Sequence, residues 1–356
     1  MPTTPHRILI VRLSHLGDVV HTLPVFHALR ASQPEAELAW VVQREFADLL
    51  RGLPGLARTI EFDRRGGARA WRALRRELAD FGADWALDAQ GNLKSAAVTR
   101  LSGARRRTGL ARSDWRERAG SFLVPERAAP SRGLHAIDRM RALCEHIAGA
   151  GVGLRLDPAL SAAELALECD DEPLLDDLDA LVHLATPGDV RSWPAERFVE
   201  LGRALARRGA RALFLSGPAE ADLGRAVAAE LAEERGVTHW IGQRGLRRLA
   251  RAFTLAANGP AVFVGCDSGP MHLAWASGMR VVCLSGPQDA RRTGPWPIAG
   301  RHTVVRAHAE PDCAPCRART CSHAEGPVCM RRVTAEDVIA ALERMIGPAR
   351  SAVTAG

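Results

Sequence analysis

The chain has 356 residues, 47% of them hydrophobic and 25% charged, with 48 Lys and Arg against 41 Asp and Glu for a net charge of +7. That composition belongs to a globular protein of about two domains and excludes a disordered or collagen-like chain. The basic excess favours polyanionic partners, but Tyr is absent and only 5% of residues are aromatic, so no nucleic-acid stacking platform is expected.

The run RILIVRL (7–13) reads as a strand followed by charge rather than as a signal sequence. No apolar run approaches the ~20 residues of a spanning helix, so a cytoplasmic protein is expected. A helix from about 18 to 30, a strand ELAWVV (37–42) and a further helix follow, in the rhythm of stacked βαβ units. A third helix fits 68–80, and DWALDAQG (84–91) reads as a buried strand ending at Gly91, with a helix starting near Lys94. Continuous apolar runs are what parallel strands covered on both faces require. Over 156–180 the composition turns acidic and rich in Leu and Ala. A boundary there gives domains 1–170 and 171–356. The second half repeats the pattern: LVHLATP (181–187), helix 194–208, ALFLSG (212–217), helix 219–234, AVFVGCD (261–267), another helix, VVCLSG (281–286) and a last helix over 333–347.

Open α/β sheets bind ligands outside the carboxyl ends of their strands, so the turns there are the candidate sites, and two such domains imply a cleft between them. In RLSHLGDVVHTLP (12–24), Gly17 permits close backbone approach and Asp18 opens a helix. On the residues alone, Asp18 is either a helix cap or a general base. In GCDSGPMHL (265–273), a strand runs into Asp267, Ser268 and Gly269 before a helix opens beside Pro270 and Met271, with His272 in its first turn. Free amides at such a helix start form an anion site; the alternative is a plain turn with a capping Asp. Arginines 58, 64, 65, 69, 72, 75 and 76, and a second run at 105–107 and 112, form either solvated faces or an anion-binding surface. Cys313, Cys316, Cys321 and Cys329, spaced C-x2-C-x4-C-x7-C, can hold zinc or remain thiols, while Cys144, Cys169, Cys266 and Cys283 read as small core or loop residues. No G-x-G-x-x-G follows the first strand, which disfavours a dehydrogenase.

Five motifs taken in order, RLSHLGDVVHTLP, DAQGNLKSA (88–96), HAIDRMR (135–141), RSWP (191–194) and GCDSGPMHL, resemble those of the lipopolysaccharide heptosyltransferases of glycosyltransferase family 9. The resemblance implies an α/β GT-B architecture, two Rossmann-like domains with parallel sheets facing an interdomain cleft. The N-terminal domain would bind an anionic glycolipid acceptor and the C-terminal domain a nucleotide-sugar donor. It further implies inverting transfer of heptose from ADP-L-glycero-D-manno-heptose to a Kdo-lipid A type inner core, with no metal or cofactor, at the cytoplasmic face of the inner membrane by peripheral contact. Carried over, Asp18 is the base and Arg191 neutralises the leaving diphosphate. Thr186, Glu220, Asp267, Ser268, Gly269, Pro270, Met271 and His272 hold the donor. Arg64, Arg65, Lys94 and His135 meet the acceptor, although His135 also reads as a packed structural histidine. Pro187 stands where a second hydroxyl residue is common and Arg191 where Lys is common, which leaves the leaving-group geometry open. The alternatives are a family 9 transferase with another donor or acceptor, and a non-catalytic polyanion-binding protein.

Overall fold

The computed structural model describes residues 6–149, 175, 177–243, 245–297 and 301–346, in two compact units, Met1–Pro158 and Ala159–Gly356. Most of the segment expected to carry the boundary, including Cys169, lies outside the described residues.

In the first unit the chain runs β1 (Arg7–Val11), α1 (Leu16–Ser32), β2 (Glu37–Gln43), α2 (Arg44–Leu50), β3 (Arg58–Phe62), α3 (Gly67–Phe81), β4 (Trp85–Asp88), α4 (Leu93–Leu101), β5 (Arg106–Gly109), β6 (Glu126–Arg127) and α5 (Ala136–Ala148). The strands form one parallel sheet in the order β3-β2-β1-β4-β5-β6. β1, β2 and β4 are almost wholly buried, and this is why their sequences are continuous apolar runs. The arginine-rich helix α3 packs by a narrow stripe, Leu74, Leu78 and Phe81, while Arg72, Arg75 and Arg76 face solvent. It stops at Gly82, whose φ of +59 is the left-handed conformation that glycine adopts without a Cβ penalty. Truncating Leu74, which is 1% exposed, would cost about 2–5 kcal/mol.

The second unit repeats the plan with β7 (Ala180–His183), α6 (Ala195–Arg207), β8 (Ala212–Leu215), α7 (Ala221–Glu230), β9 (Val237–Trp240), α8 (Leu246–Ala256), β10 (Val262–Cys266), α9 (Gly269–Ala276), β11 (Arg280–Leu284), α10 (Ala290–Thr293), β12 (His302–Val305), α11 (Val328–Arg331) and α12 (Ala335–Ile346). Its parallel sheet has the order β12-β11-β10-β7-β8-β9. Trp193 ties the loop after β7 to the C-terminal region by donating from Nε1 to the Val333 carbonyl at 2.9 Å.

Each sheet reverses direction of growth once, between β1 and β4 in the first unit and between β7 and β10 in the second. The loops leaving those strands splay to opposite faces and open a crevice at the carboxyl edge. The strands that sequence reading passes over are β3, β6, β9 and β12, all sheet edges, and β5 beside an edge. Edge strands are covered on fewer sides, and polar residues interrupt these, as Arg58 and Glu61 do in β3 and Thr238 and His239 in β9, so they lack the apolar run that marks a central strand. In β5 the charges are satisfied locally: the Arg106 guanidinium lies 3.8 Å over the Trp85 ring and makes two bonds to Glu126. The helix expected over 219–234 divides into a 3-10 turn at Pro218–Glu220 and α7.

Candidate active site

At the first switch point, α1 starts two residues earlier than expected, so Asp18 is its third residue rather than its first. Its Oδ2 accepts from the His15 amide at 3.3 Å, a capping contact, and its Oδ1 lies 2.6 Å from the Arg12 guanidinium. The side chain is 38% exposed whereas Arg12 is 8% exposed, so a buried cation holds a carboxylate that still reaches solvent. Arg12 also donates to the Ala89 carbonyl beyond β4, and the indole of Trp40 donates to the Arg12 carbonyl. Asp88, at the end of β4, is fully buried. Burial raises its pKa to about 6, against the opposing pull of the Gly91 and Gln90 amides and the Arg12 charge. The helix-cap and exposed-carboxylate readings of Asp18 are therefore compatible: one oxygen caps, and the group remains accessible.

At the second switch point a cavity of about 350 Å³ is lined by Thr186, Arg191, Glu220, Asp267, Ser268, Gly269 and Pro270, all expected on the donor side. Thr186 Oγ1 donates to Glu220 Oε1 at 2.6 Å, and Glu220 Oε2 accepts from the Gly217 amide at 3.1 Å, which fixes a buried carboxylate at the start of α7. Arg191 grips Asp189 through Nε at 2.9 Å and Nη2 at 2.6 Å, and donates from Nη1 to the Asp267 carbonyl at 3.0 Å. The ion pair holds Asp189 below and Arg191 above its ordinary pKa, so both stay charged near neutrality. Asp267 receives a bond from Thr293 Oγ1 at 2.9 Å and stands 3.4 Å from His272 Nε2, leaving further lone pairs on its carboxylate. Ser268 stands at the N-cap position of α9 without making a side-chain cap, and its Oγ is buried without a hydrogen-bond partner among the described residues. Next to it the amides of Gly269 and Met271 open the helix, while Pro270 has no N–H to leave unpaired. The cavity is also lined by apolar side chains, Ala185, Leu215, Leu246 and Leu249, and by His183. Burial pushes the His183 pKa down to about 4, so its ring is neutral at pH 7.

One cavity thus combines apolar side chains, a buried carboxylate bonded to a hydroxyl, and a helix start beside an arginine, a lining that can take an apolar ring, hydroxyl groups and an anion. A model of glycosyltransferase family 9 (heptosyltransferase) matches residues 71–325. The chain belongs to glycosyltransferase family 9. This family 9 protein is 29% identical to Lipopolysaccharide heptosyltransferase 1 of Pseudomonas aeruginosa, over 96% of this chain and 98% of that one. The Escherichia coli K12 enzyme of the same description is also 29% identical, over 84% and 92%. Among solved structures, E. coli heptosyltransferase WaaC with ADP-2-deoxy-2-fluoro heptose superposes with a TM-score of 0.73 at 26% identity, covering 95% of this chain and 99% of that chain. E. coli ADP-heptose lps heptosyltransferase II shares the fold, with a TM-score of 0.71 at 20% identity over 96% and 98%. The two parallel sheets are the Rossmann-like pair of a GT-B glycosyltransferase, as the motifs imply.

Several expected site residues of this family 9 enzyme fall elsewhere. Met271 is 0% exposed, so its side chain belongs to the core and only its amide can serve a ligand. His272 does not line the cavity but backs Asp267. His135 is 1% exposed and caps α5, its Nδ1 accepting from the Ile137 amide at 3.1 Å while its ring meets His21 edge-on, so the structural reading replaces direct acceptor contact. Arg64 and Arg65 are exposed in the turn after β3 and Lys94 in the first turn of α4, which follows β4, at the same edge of the first sheet as Asp18. Of the second basic run, Arg106 and Arg107 are spent on Glu126 and on backbone carbonyls. The cysteines 313, 316, 321 and 329 are free thiols lining one small cavity beside Val190 and Pro287, and no group of three or more metal-ligating side chains is found among the described residues. Cys144, Cys266 and Cys283 are buried as expected. Sequence reading missed Arg12, one residue inside the first motif, Asp189, whose role depends on the loop that folds it onto Arg191, and Thr293, which has no local signal.

Proposed function

We propose that this enzyme transfers heptose from ADP-L-glycero-D-manno-heptose to the inner core of lipopolysaccharide, on a Kdo-lipid A type acceptor, with inversion at the anomeric carbon. The second unit binds the donor: the apolar side chains of its cavity take adenine, Glu220 with Thr186 takes the ribose, and Ser268, the α9 amides and Arg191 take the diphosphate. The observation that carries this reading is the unpartnered Ser268 Oγ at the start of α9, with Arg191 already fixed to the Asp267 carbonyl beside it. The likeness to WaaC, solved with an ADP-heptose analogue, supports the same donor.

Asp18 takes the proton of the acceptor hydroxyl as its oxygen attacks the anomeric carbon and the bond to the diphosphate breaks; ADP leaves with the electron pair. A single displacement needs one base and stabilisation of the departing charge. Arg191 and the helix start supply that charge without a metal or cofactor. Arg64, Arg65 and Lys94 engage phosphates and sugar-acid carboxylates of the acceptor. An enzyme acting on such a lipid works at the cytoplasmic surface of the inner membrane by peripheral contact, and no described helix is long and apolar enough to cross it.

The test is a donor panel. Purified protein is given ADP-heptose, ADP-glucose, GDP-mannose and UDP-glucose with a deacylated core acceptor, and nucleotide release is followed. Acceptor-dependent release from ADP-heptose alone is expected. Faster release from another nucleotide sugar would assign the site to a different transfer.

A further inference from the structure

Large apolar side chains exposed among the described residues are few, and five of six, Leu93, Leu101, Phe122, Leu123 and Leu134, fall within one stretch of the first unit. Phe122 is 70% exposed and Leu93 50%. The cause lies in the 3-10 stretch Arg118–Leu123, which turns Gly120 and Ser121 inward and so presents the next two residues outward. Gly120 is required there: a Cβ would lie 2.8 Å from the Trp115 ring and 3.2 Å from the Ala96 side chain. The stretch therefore rests directly on the first turns of α4, where Leu93 stands with its amide bonded to Glu117 at 2.8 Å. Two further bonds stiffen it, Ser121 Oγ to the Arg118 carbonyl at 2.7 Å and Arg127 to the Ser121 carbonyl at 2.8 Å. Arg112, Arg116 and Arg118 are exposed in the segment leading to this tip, and the Arg112 guanidinium sits 5.0 Å over the Phe122 ring.

We propose that this tip, Phe122 and Leu123 with Leu93, is the surface by which the protein docks on an anionic lipid bilayer. An exposed apolar point stiffened by local bonds, with cations beside it, is complementary to acyl chains below anionic headgroups. It is poorly suited to a second copy of the chain. A stable protein interface needs about 800 Å² per partner, and the whole side chain of a Phe offers only about 150–250 Å². The proposal gives the membrane contact of the preceding section a location. It stands apart from the donor assignment, because lipid binding is measured without any nucleotide sugar.

The experiment is sedimentation of the full chain with vesicles of phosphatidylcholine alone and of phosphatidylcholine with phosphatidylglycerol. Variants are Phe122→Ser, the triple Arg112→Gln, Arg116→Gln, Arg118→Gln, and a charge-matched control of exposed arginines in the second unit, the triple Arg207→Gln, Arg235→Gln, Arg344→Gln. Binding to the anionic vesicles is expected to fall more than ~tenfold with Phe122→Ser, and about fivefold per arginine removed from the tip. The control should bind as the wild type does, and neutral vesicles should bind weakly throughout. Circular dichroism and turnover of a water-soluble acceptor should be unchanged in Phe122→Ser. Undiminished binding by Phe122→Ser, or equal loss in the control, would overturn the proposal. So would a wild-type dimer that Phe122→Ser converts to monomer with vesicle binding intact, which would mark the tip as a protein contact.

Discussion

Replacing Asp88 with Asn tests the electrostatics beneath the candidate base. The carboxyl group is wholly buried, and its pKa stands at about 6 instead of 3.8, chiefly through desolvation. A folded-state pKa above the unfolded one means that the native protein binds the extra proton. Stability is therefore greatest below the unfolded pKa and declines as pH rises to about 6, after which the penalty is constant. About two units correspond to roughly 3 kcal/mol over the full range, of which roughly 1.5 kcal/mol is lost between pH 5 and pH 7.5. Asparagine keeps an oxygen for the Gln90 and Gly91 amides, now bonded at 2.9 Å each, but does not titrate. Urea unfolding of both proteins, followed by circular dichroism and tryptophan fluorescence, should show the wild type losing roughly 1.5 kcal/mol relative to Asp88→Asn over that interval. The offset between the proteins at one pH is immaterial, because the new amide beside Arg12 carries its own cost. Parallel stability profiles from pH 5 to 7.5 would refute a buried titrating carboxyl next to the Arg12–Asp18 pair.

Two further outcomes concern the reacting groups. Arg191→Ala should lower kcat by about 10²–10³ with a smaller change in donor affinity, since charge on the leaving diphosphate grows in the transition state, and Arg191→Lys should restore part of it; steady-state kinetics with an effect confined to KM would contradict this. Arg64→Ala with Arg65→Ala should raise the acceptor KM, more strongly at low salt, and unchanged acceptor kinetics would assign both arginines to the solvated surface.

Much of the architecture is legible in the sequence because central parallel strands are buried on both faces, and burial writes itself as unbroken runs such as RILIV and VFVGC. The edges β3, β6, β9 and β12 escape because none has an unbroken apolar run: β3 gives only Ile60 and Phe62 to the core between partly exposed polar residues, and in β6 Glu126 answers to Arg106. The lining of the second unit's cavity is legible at the Asp267–Pro270 turn, where a strand end meets a helix start, and at Thr186 in the loop after β7. What could not be read is pairing across long separations. Arg191 reaches the Asp267 carbonyl 76 residues away, and Thr293 reaches its carboxylate across 26, so neither partner is marked by spacing. His135 and Met271 show the converse: each lies inside a motif, yet packing turns its side chain to the interior.

The measurement that bears most directly on the account is turnover and ADP binding by Asp18→Asn. Asparagine keeps an acceptor for the His15 amide, bonded at 3.3 Å, so the start of α1 is preserved while basicity is lost. The account predicts a fall in kcat of about 10²–10⁴, with ADP affinity by calorimetry unchanged within about twofold. Wild-type turnover by this variant would contradict it.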